Sequence, residues 1–516
     1  MDATLQSRSS LAVAAPEKAA AGSRCGGWAH YALQPGLSLI PAERDAAGGP
    51  AGGVLLALRP LMAMRLNAQG FALISALADG GATADVAARL AGLSPMEIAA
   101  FLDRLTRRRL LVRTPPPPGR WPQVSIIVAA RGRHGATRAC VDSLLRLDYP
   151  GEQCETIVVD DATEPPLAPA LEGLPIRLIR FERNAGQSAA RNLAAAKAQG
   201  ELLAFIDNDC VADPAWLRTL VPWLGDPGIS IVGGRVSAPP PTTSIAAFEA
   251  VRSPLDMGAV ASAVGPDEAV AYLPTCNLVV RRDKLLAAGG FAAEMRLGED
   301  VDFTWRVLRS GAGACYAPAG RIIHYHRERL GPLLRRRADY GSSEADLQRR
   351  HPASHRVMPM PRTSLLALAM LTAAPLAWVV AIALAALLAA LLTREIAGKR
   401  QQIGRLGIPL PASRVIAAVL REHVASMYGL SANLIRYYGI PLLGLGALWP
   451  ALLPALVAVF LLAPAMDHRR LKPVCGPAAF VALYWLEMAA YQLGVWRGCL
   501  ARRTFHPLLP ILHWRR

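Results

Sequence analysis

Two carboxylates, Asp207 and Asp209, directly follow the apolar run Leu202-Leu203-Ala204-Phe205-Ile206. A buried strand followed at once by Asp-Asn-Asp delivers both acids to one edge of a sheet, and in extended chain alternate side chains point the same way. Two hard oxygen donors suit Mg²⁺ or Mn²⁺. Such an ion can take up the charge of a departing diphosphate. The bland alternative is an acidic strand end that caps the helix expected after Asp213-Pro214.

A second acidic cluster is Gly298-Glu299-Asp300-Val301-Asp302, followed by Trp305 and Arg306. Moving a sugar onto a hydroxyl with inversion needs one carboxylate to take the hydroxyl proton. Asp300 is the candidate base, with Glu299 and Asp302 as alternatives. Carboxylates in a first helical turn also suit the helix dipole. Asp160-Asp161 ends another apolar run, where a carboxylate can accept from a nucleotide base or ribose hydroxyl. Arg191 follows on a helix and can reach a diphosphate or a base edge. His324 and His326 alternate along a strand-like run, so one of them can complete a metal shell.

These residues need a scaffold. Val124–Val128, Thr156–Asp161, Ile176–Ile179 and Leu202–Asp207 read as strands; Thr137–Leu147 and Ser188–Ala198 read as helices between them. Alternating strands and helices predict an α/β fold with a Rossmann-like, mainly parallel sheet. Ligands in such sheets sit at the carboxyl ends of the strands. Neither G-x-G-x-x-G nor G-x-x-x-x-G-K-[ST] follows the first strand, which disfavours a dinucleotide oxidoreductase and a P-loop NTPase.

Four prolines, Pro115–Pro118, mark a stiff linker over 114–120, before the catalytic segment 121–345. Residues 37–113 read as a small winged-helix-like domain: a strand at Gly53–Leu58, a helix after Leu66, and further helices from Thr83 and Ser94. Residues 1–36 read as a mobile tail without a signal peptide. The last third, 360–516, is a hydrophobic helical region. Ser364–Thr393 and Tyr437–Met466 carry no charge, and Pro473–Trp496 carries only Glu487. Each charge-free run would be about 45 Å long as one helix, against about 30 Å of bilayer hydrocarbon. Pro375, Pro450 and Pro454 are candidate kinks. The eight cysteines form no C-x-x-C pair, so neither a zinc framework nor a disulfide scaffold is indicated. A net charge of +17 suits an anionic partner: nucleic acid, anionic lipid or a phosphorylated substrate.

With these residues in view, Val124 to about Gly341 resembles the family 2 glycosyltransferases of GT-A type. The ordered motifs are the Val-Ser-Ile-Ile-Val strand, Val158-Val159-Asp160-Asp161, Asn184 to Asn192, Asp207-Asn208-Asp209, Asn277 in Thr-Cys-Asn-Leu-Val-Val, Gly289-Gly290-Phe291 and Gly298-Glu299-Asp300. The resemblance implies Asp161, with Asp160, at the nucleotide base and Arg191 near the nucleotide. It implies Asp209 on the metal with Asp207 assisting, and Asp300 as catalytic base. The family's Pro-x-Tyr/Asn after the first strand is Ala129-Ala130-Arg131 here, so Ala130 marks the first nucleotide contact. His324 is the further metal ligand expected. Glu299, Asn277, Trp305 and Arg306 are expected around the acceptor.

Residues 51–113 look like PqqD-like peptide-recognition domains, carried by Arg59-Pro60, Leu66-Asn67-Ala68 and Leu77-Ala78-Asp79-Gly80. Such domains hold a peptide as an added strand. The three-part chain is similar to the mycofactocin-biosynthesis glycosyltransferases. That implies a hexosyltransferase using a UDP-sugar, UDP-glucose above all, on a peptide-derived acceptor or its precursor peptide. A polysaccharide or lipid-linked acceptor is the alternative, but Arg335-Arg336-Arg337 stands where processive synthases carry Gln-x-x-Arg-Trp. A DNA-reading helix-turn-helix at 83–112 is remote, because Arg107–Arg109 closes a helix where positive charge suits the dipole; no nucleic-acid partner is expected. The protein is expected at the cell membrane, in contact with its lipids, with the catalytic domain on the cytoplasmic side. Basic residues at 394–436, Arg469–Lys472 and Arg515-Arg516 cannot all face inward if every apolar run crosses once. Re-entrant or interfacial segments would resolve the conflict.

Overall fold

The structure, a computed structural model, describes residues 29–42, 52–78, 81–83, 108–266, 268–353, 357–509 and 511–513, with isolated positions between 84 and 107. The helices expected from Thr83 and Ser94 lie largely outside the described residues. The N-terminal unit contains β1 (His30–Leu33), β2 (Leu37–Pro41), β3 (Gly53–Leu58), β4 (Leu61–Leu66), α1 (Ala68–Ala78), β5 (Ala82–Thr83) and β6 (Leu111–Thr114). β2, β3 and β4 form one antiparallel meander; β1 lies between β5 and β6 in a second sheet. The unit thus begins before Leu37: His30–Leu33, expected in the tail, pairs along its length with Leu111–Thr114.

The next strands alternate with helices: β7 (Val124–Ala130), α2 (His134–Leu144), β8 (Cys154–Asp160), β9 (Arg177–Arg180), α3 (Gln187–Lys197), β10 (Leu202–Asp207) and β11 (Cys210–Ala212). Then come α4 (Trp216–Leu220), β12 (Ile229–Ser237), α5 (Ser244–Arg252), β13 (Ser262–Ala263), β14 (Asn277–Arg281), α6 (Arg282–Ala287), α7 (Glu299–Arg309), β15 (Gly313–His324) and α8 (Leu330–Arg350). One nine-stranded sheet runs β11-β15-β12-β14-β10-β7-β8-β9, with β13 on β15. β10, β7, β8 and β9 are parallel neighbours, while β14 is antiparallel to both β10 and β12.

The central strands are apolar on both faces because each face has its own core. Val124, Ile126, Val128, Ala204 and Ile206 pack on one side with Cys140 and Val141 of α2. Ile127, Leu203 and Phe205 pack on the other with Ala190 and Ala194 of α3 and Phe303 of α7. This is the expected α/β sheet, mixed and mostly parallel.

Beyond α8 lie β16 (Val357–Pro359), α9 (Arg362–Ala373), α10 (Trp378–Gly404), α11 (Ala412–Leu448), α12 (Leu453–Leu471), α13 (Pro477–Arg502) and β17 (Ile511–His513). The two long apolar runs are not single helices. The first breaks between Ala373 and Trp378, around Pro375; the second breaks at Trp449, before Pro450. Three helical segments, Trp378–Gly404, Pro450–Leu471 and Pro477–Arg502, are long and apolar enough to cross a membrane. α13 docks on α8 backbone to backbone: a Cβ at Gly494 would stand 1.9 Å from the Ala338 carbonyl oxygen.

Buried charges fasten the same interface. Arg337 donates to Glu487 at 2.7 Å and to Glu249 at 2.8 Å, and all three side chains are nearly inaccessible. Removing one member of a buried ion network strands the others without compensation, at about 3–5 kcal/mol. Arg337→Met is therefore expected to lower the melting temperature of the detergent-solubilised protein by several degrees. A melting curve identical to that of the unaltered chain would show that the network contributes nothing.

Candidate active site

Asp207 ends β10 and Glu299 opens α7, so a helix start and a strand end face each other across α3. Arg191 on α3 joins them. Its guanidinium donates to Asp207 at 2.6 Å and to Glu299 at 3.0 Å, and it is 3% exposed. Gln187, one helical turn earlier, donates to Glu299 at 2.6 Å. Asn192 on the same helix holds the Gly290-Phe291 turn: it accepts from Phe291 N at 2.8 Å and donates to Phe291 O at 2.7 Å. Gly290 has φ +69°, and a Cβ there would stand 2.5 Å from Asn192 Oδ1. Only glycine fits that turn without strain.

Asp209 faces His324 at the end of β15, with Nε2 3.5 Å from Oδ1. Pairing of β11 with β15 sets this contact, because Cys210 lies opposite His324. Ligand atoms of Asp209, Cys210 and His324 lie within 4.8 Å of one another. Burial pushes the Cys210 thiol well up, so it stays protonated and is a poor ligand. Asp209 and His324 remain as oxygen and nitrogen donors, and His324 Nδ1 is buried without a partner. That donor set suits a small divalent cation. Arg133, at the start of α2, also bonds Asp209. His326 stacks on His324 at 4.6 Å between centroids; burial, then His324, hold its pKa down to about 3.

Asp207, Asp209, His324, Glu299, Asp300 and Trp305 all line one cavity of about 860 Å³. The two acidic clusters therefore share a crevice. Burial, reinforced by the neighbouring Glu299 charge, pushes the Asp300 carboxyl up to about 7. A base of that strength suits proton transfer at neutral pH. For a proton acceptor the deprotonated form is the working one, so with Asp300 in that role the rate should rise with pH and level off above about 7. A rate profile flat from pH 5 to 8 would count against Asp300 as the proton acceptor.

Comparison with known proteins bears on this site. The family model for Glycosyl transferase family 2 matches residues 125–259, and that for Glycosyl transferase family group 2 matches 202–396. Together they span the strands, both acidic clusters and α8. The catalytic domain belongs to glycosyl transferase family 2. The pre-mycofactocin glycosyltransferase of Mycobacterium tuberculosis is 29% identical over 80% of this chain and 87% of its own length. The glycosyltransferase AglE of Haloferax volcanii is 29% identical over 43% of this chain and 73% of its own. A Pyrobaculum calidifontis mannosyltransferase solved with GDP-Man and Mn²⁺ is 21% identical, with a TM-score of 0.38 over 67% of this chain and 89% of that one.

The family 2 domain places several expected residues away from the cavity. Asp160 is fully buried; burial raises its pKa, but bonds from Thr163, Leu167 and Arg180 outweigh this and hold it low. Asp161 accepts from Asn184 at 2.5 Å, Ala185 N at 2.7 Å and Gly186 N at 3.0 Å, which shapes the loop entering α3. Ala130 is buried and its carbonyl accepts from Asp161 N; its neighbour Ala129 lines the cavity instead. Asn277, expected at the acceptor, is fully buried and bonds Trp216 at 2.7 Å and the carbonyls of Arg235 and Gly320. Arg306 is likewise spent on Asp302 and the carbonyls of Ala288 and Gly290. Asp302, the alternative base, is 1% exposed and bonded to His351 and Arg306. Trp305 does face the cavity, its ring nitrogen bonded to Ala271 O at 2.8 Å.

Sequence reading missed the far wall. Arg336 and Tyr340 of α8, Arg436 and Tyr437 of α11, and Glu487 and Tyr491 of α13 close the cavity. The Arg436 guanidinium lies 3.8 Å from the centre of the Tyr491 ring. Arg335-Arg336-Arg337 followed by Tyr340-Gly341 was the available signal. Tyr437, Glu487 and Tyr491 lie inside apolar runs that read as membrane segments, and Arg436 lies in the basic segment 394–436, which reads as a guide to topology.

Proposed function

We propose that the protein is an inverting, metal-dependent hexosyltransferase. It takes a sugar from a UDP-sugar, UDP-glucose above all, and passes it to a hydroxyl of a peptide-derived acceptor. The observation that carries this reading is the Arg191 bridge, which ties the Asp207–Asp209 strand end to the Glu299–Asp300 helix start across one cavity. In this reading Asp300 takes the proton of the acceptor hydroxyl as its oxygen attacks the anomeric carbon. The bond from that carbon to the diphosphate breaks, its electron pair leaves with the nucleotide, and attack from the opposite face inverts the centre. Arg191 orients Asp207 and Glu299 and adds positive charge beside the leaving group. Asp209 and His324, with Asp207, would hold Mg²⁺ or Mn²⁺, which supplies charge neutralisation of the diphosphate when bound. The burial of Asp300 and its raised pKa support its assignment as base.

The acceptor assignment rests on the mycobacterial relative named for pre-mycofactocin, which the chain matches over most of both lengths. Residues 37–113 would hold the precursor peptide on an edge of the β2-β3-β4 sheet. The catalytic domain would face the cytoplasm, where sugar nucleotides are available, with the C-terminal helices on the membrane. The deciding experiment incubates the purified full chain with several sugar nucleotides, with Mg²⁺, Mn²⁺ or chelator, and with peptide-derived or lipid-linked acceptors. Mass spectrometry identifies the glycosylated product, and NMR of the new linkage reads its configuration. Transfer only to a lipid-linked acceptor, retention of configuration, or full activity in chelator would each remove the corresponding part of the proposal.

A further inference from the structure

We infer that the C-terminal region enters a lipid bilayer from one side only, as two apolar hairpins seated in a single leaflet, while α13 lies along the membrane surface. Length and hydropathy alone would allow three crossings. The polar contacts at the feet of the hairpins argue for another arrangement.

Thr363 stands at the start of α9, and Glu395 on the far arm of the same hairpin, in α10. Both meet one imidazole on α11: Thr363 Oγ1 lies 2.8 Å from His423 Nδ1, and His423 Nε2 lies 2.9 Å from Glu395 Oε2. Lys399 joins this cluster, 3.3 Å from Glu395 and bonded to Glu422. The apolar run therefore leaves and returns at one level. A crossing would put Thr363 and Glu395 on opposite faces. The shorter arm, α9, has 12 residues, about 18 Å of helix, against about 30 Å of hydrocarbon. The feet rest on the N-terminal unit, where Ile403, Ile408 and Val415 pack on Val54 and Leu56.

The second hairpin repeats the pattern. Tyr428 of α11 donates to Asp467 of α12 at 2.9 Å, and Arg252 of the catalytic domain donates to the same carboxylate at 2.7 Å. Arg436 lies at the cavity wall, so only the last three turns of α11 extend beyond it, about 18 Å. α13 stays level with the catalytic domain, because it is locked to α8 by Gly494 and by the Glu487–Arg337 pair. A crossing by α13 would draw the arginines and aspartates of α8 into hydrocarbon, which charged groups resist by several kcal/mol each.

A leaflet is the occupant that fits the uncovered surface. The hairpin tips expose Leu376 (67%), Trp378 (69%), Leu448 (85%) and Trp449 (63%). They lie close together, since α9 packs against the Pro450–Leu452 turn. Arg394, Arg400, Arg469 and Arg470 follow the apolar arms, where anionic headgroups would meet them. All the described basic segments then share the face of the catalytic domain, and the clash with the positive-inside rule disappears.

The test introduces Leu376→Cys, Leu448→Cys and Val474→Cys separately into the full chain, in sealed vesicles of both orientations. A membrane-impermeant maleimide is applied, with the unaltered chain as background. Val474→Cys, at a site 83% exposed, should react only when the catalytic domain faces the reagent. The two tip cysteines should react from neither side until detergent is added. Reaction of any of the three from the opposite face overturns the proposal. So does full-length protein left in the supernatant with phosphatidylcholine–phosphatidylglycerol liposomes, the result expected if a second copy covers the tips instead. None of these readouts depends on sugar transfer, so topology and activity can fail separately.

Discussion

Asp300→Asn is expected to lower kcat by about 10²- to 10⁴-fold, the usual contribution of a positioned general base, while the Kd of the sugar nucleotide stays within about twofold. The substitution keeps the size and the helix-start position of the side chain. It removes only the capacity to take a proton. Asp300 is not tied to any arginine in the way that Glu299 and Asp302 are; its Oδ1 accepts from Val301 N at 2.8 Å. The surroundings should therefore survive the change, and donor binding isolates the chemical step from the fold. The pH dependence below neutrality should vanish with the carboxyl. An equal loss of donor affinity would move Asp300 from proton acceptor to donor-binding residue, and residual transfer with the same pH profile would exclude it as the base.

Asp209→Ala should weaken metal-dependent donor binding by at least about tenfold, since even groups that merely orient a metal ligand cost about 10- to 100-fold when removed. The measurement is a titration of the sugar nucleotide with and without Mn²⁺. In the unaltered chain the ion should tighten binding; in the variant the two curves should converge. Arg133 also bonds Asp209, so the loss of that contact needs its own control. Arg133→Met removes the same ion pair and leaves the carboxylate in place. It should retain the metal response. A metal response that survives Asp209→Ala would exclude this carboxylate as a ligand.

The two substitutions act on opposite walls of one cavity, and their different readouts follow from that placement. One wall carries Asp207, Asp209 and His324 at the ends of β10 and β15; the other carries the first turn of α7. Arg191 spans the gap between them.

Much of this could be read from the chain before any coordinates. An apolar run ending in Asp-Asn-Asp is a local feature: strand burial is written in consecutive residues, and the strand's end fixes where the acids emerge. The same holds for the Leu202–Asp207 strand, found over those residues, and for α3, which starts one residue ahead of its expected position. Asn277 and Arg306 were out of reach, because their residue types suit a binding role equally well. What consumes them is backbone from other segments: the carbonyls of Arg235 and Gly320 for one, those of Ala288 and Gly290 for the other.

Local pattern, then, determined which acids this chain presents, on which strand and helix ends, and that its last third is apolar. Tertiary structure alone decided that Arg191 meets Glu299, 108 positions away, that α11 and α13 wall the cavity, and that the first apolar run doubles back at Pro375. The reason is physical: hydropathy and propensity act between near neighbours, whereas an ion pair or a chain reversal depends on which distant segments come within a few ångströms.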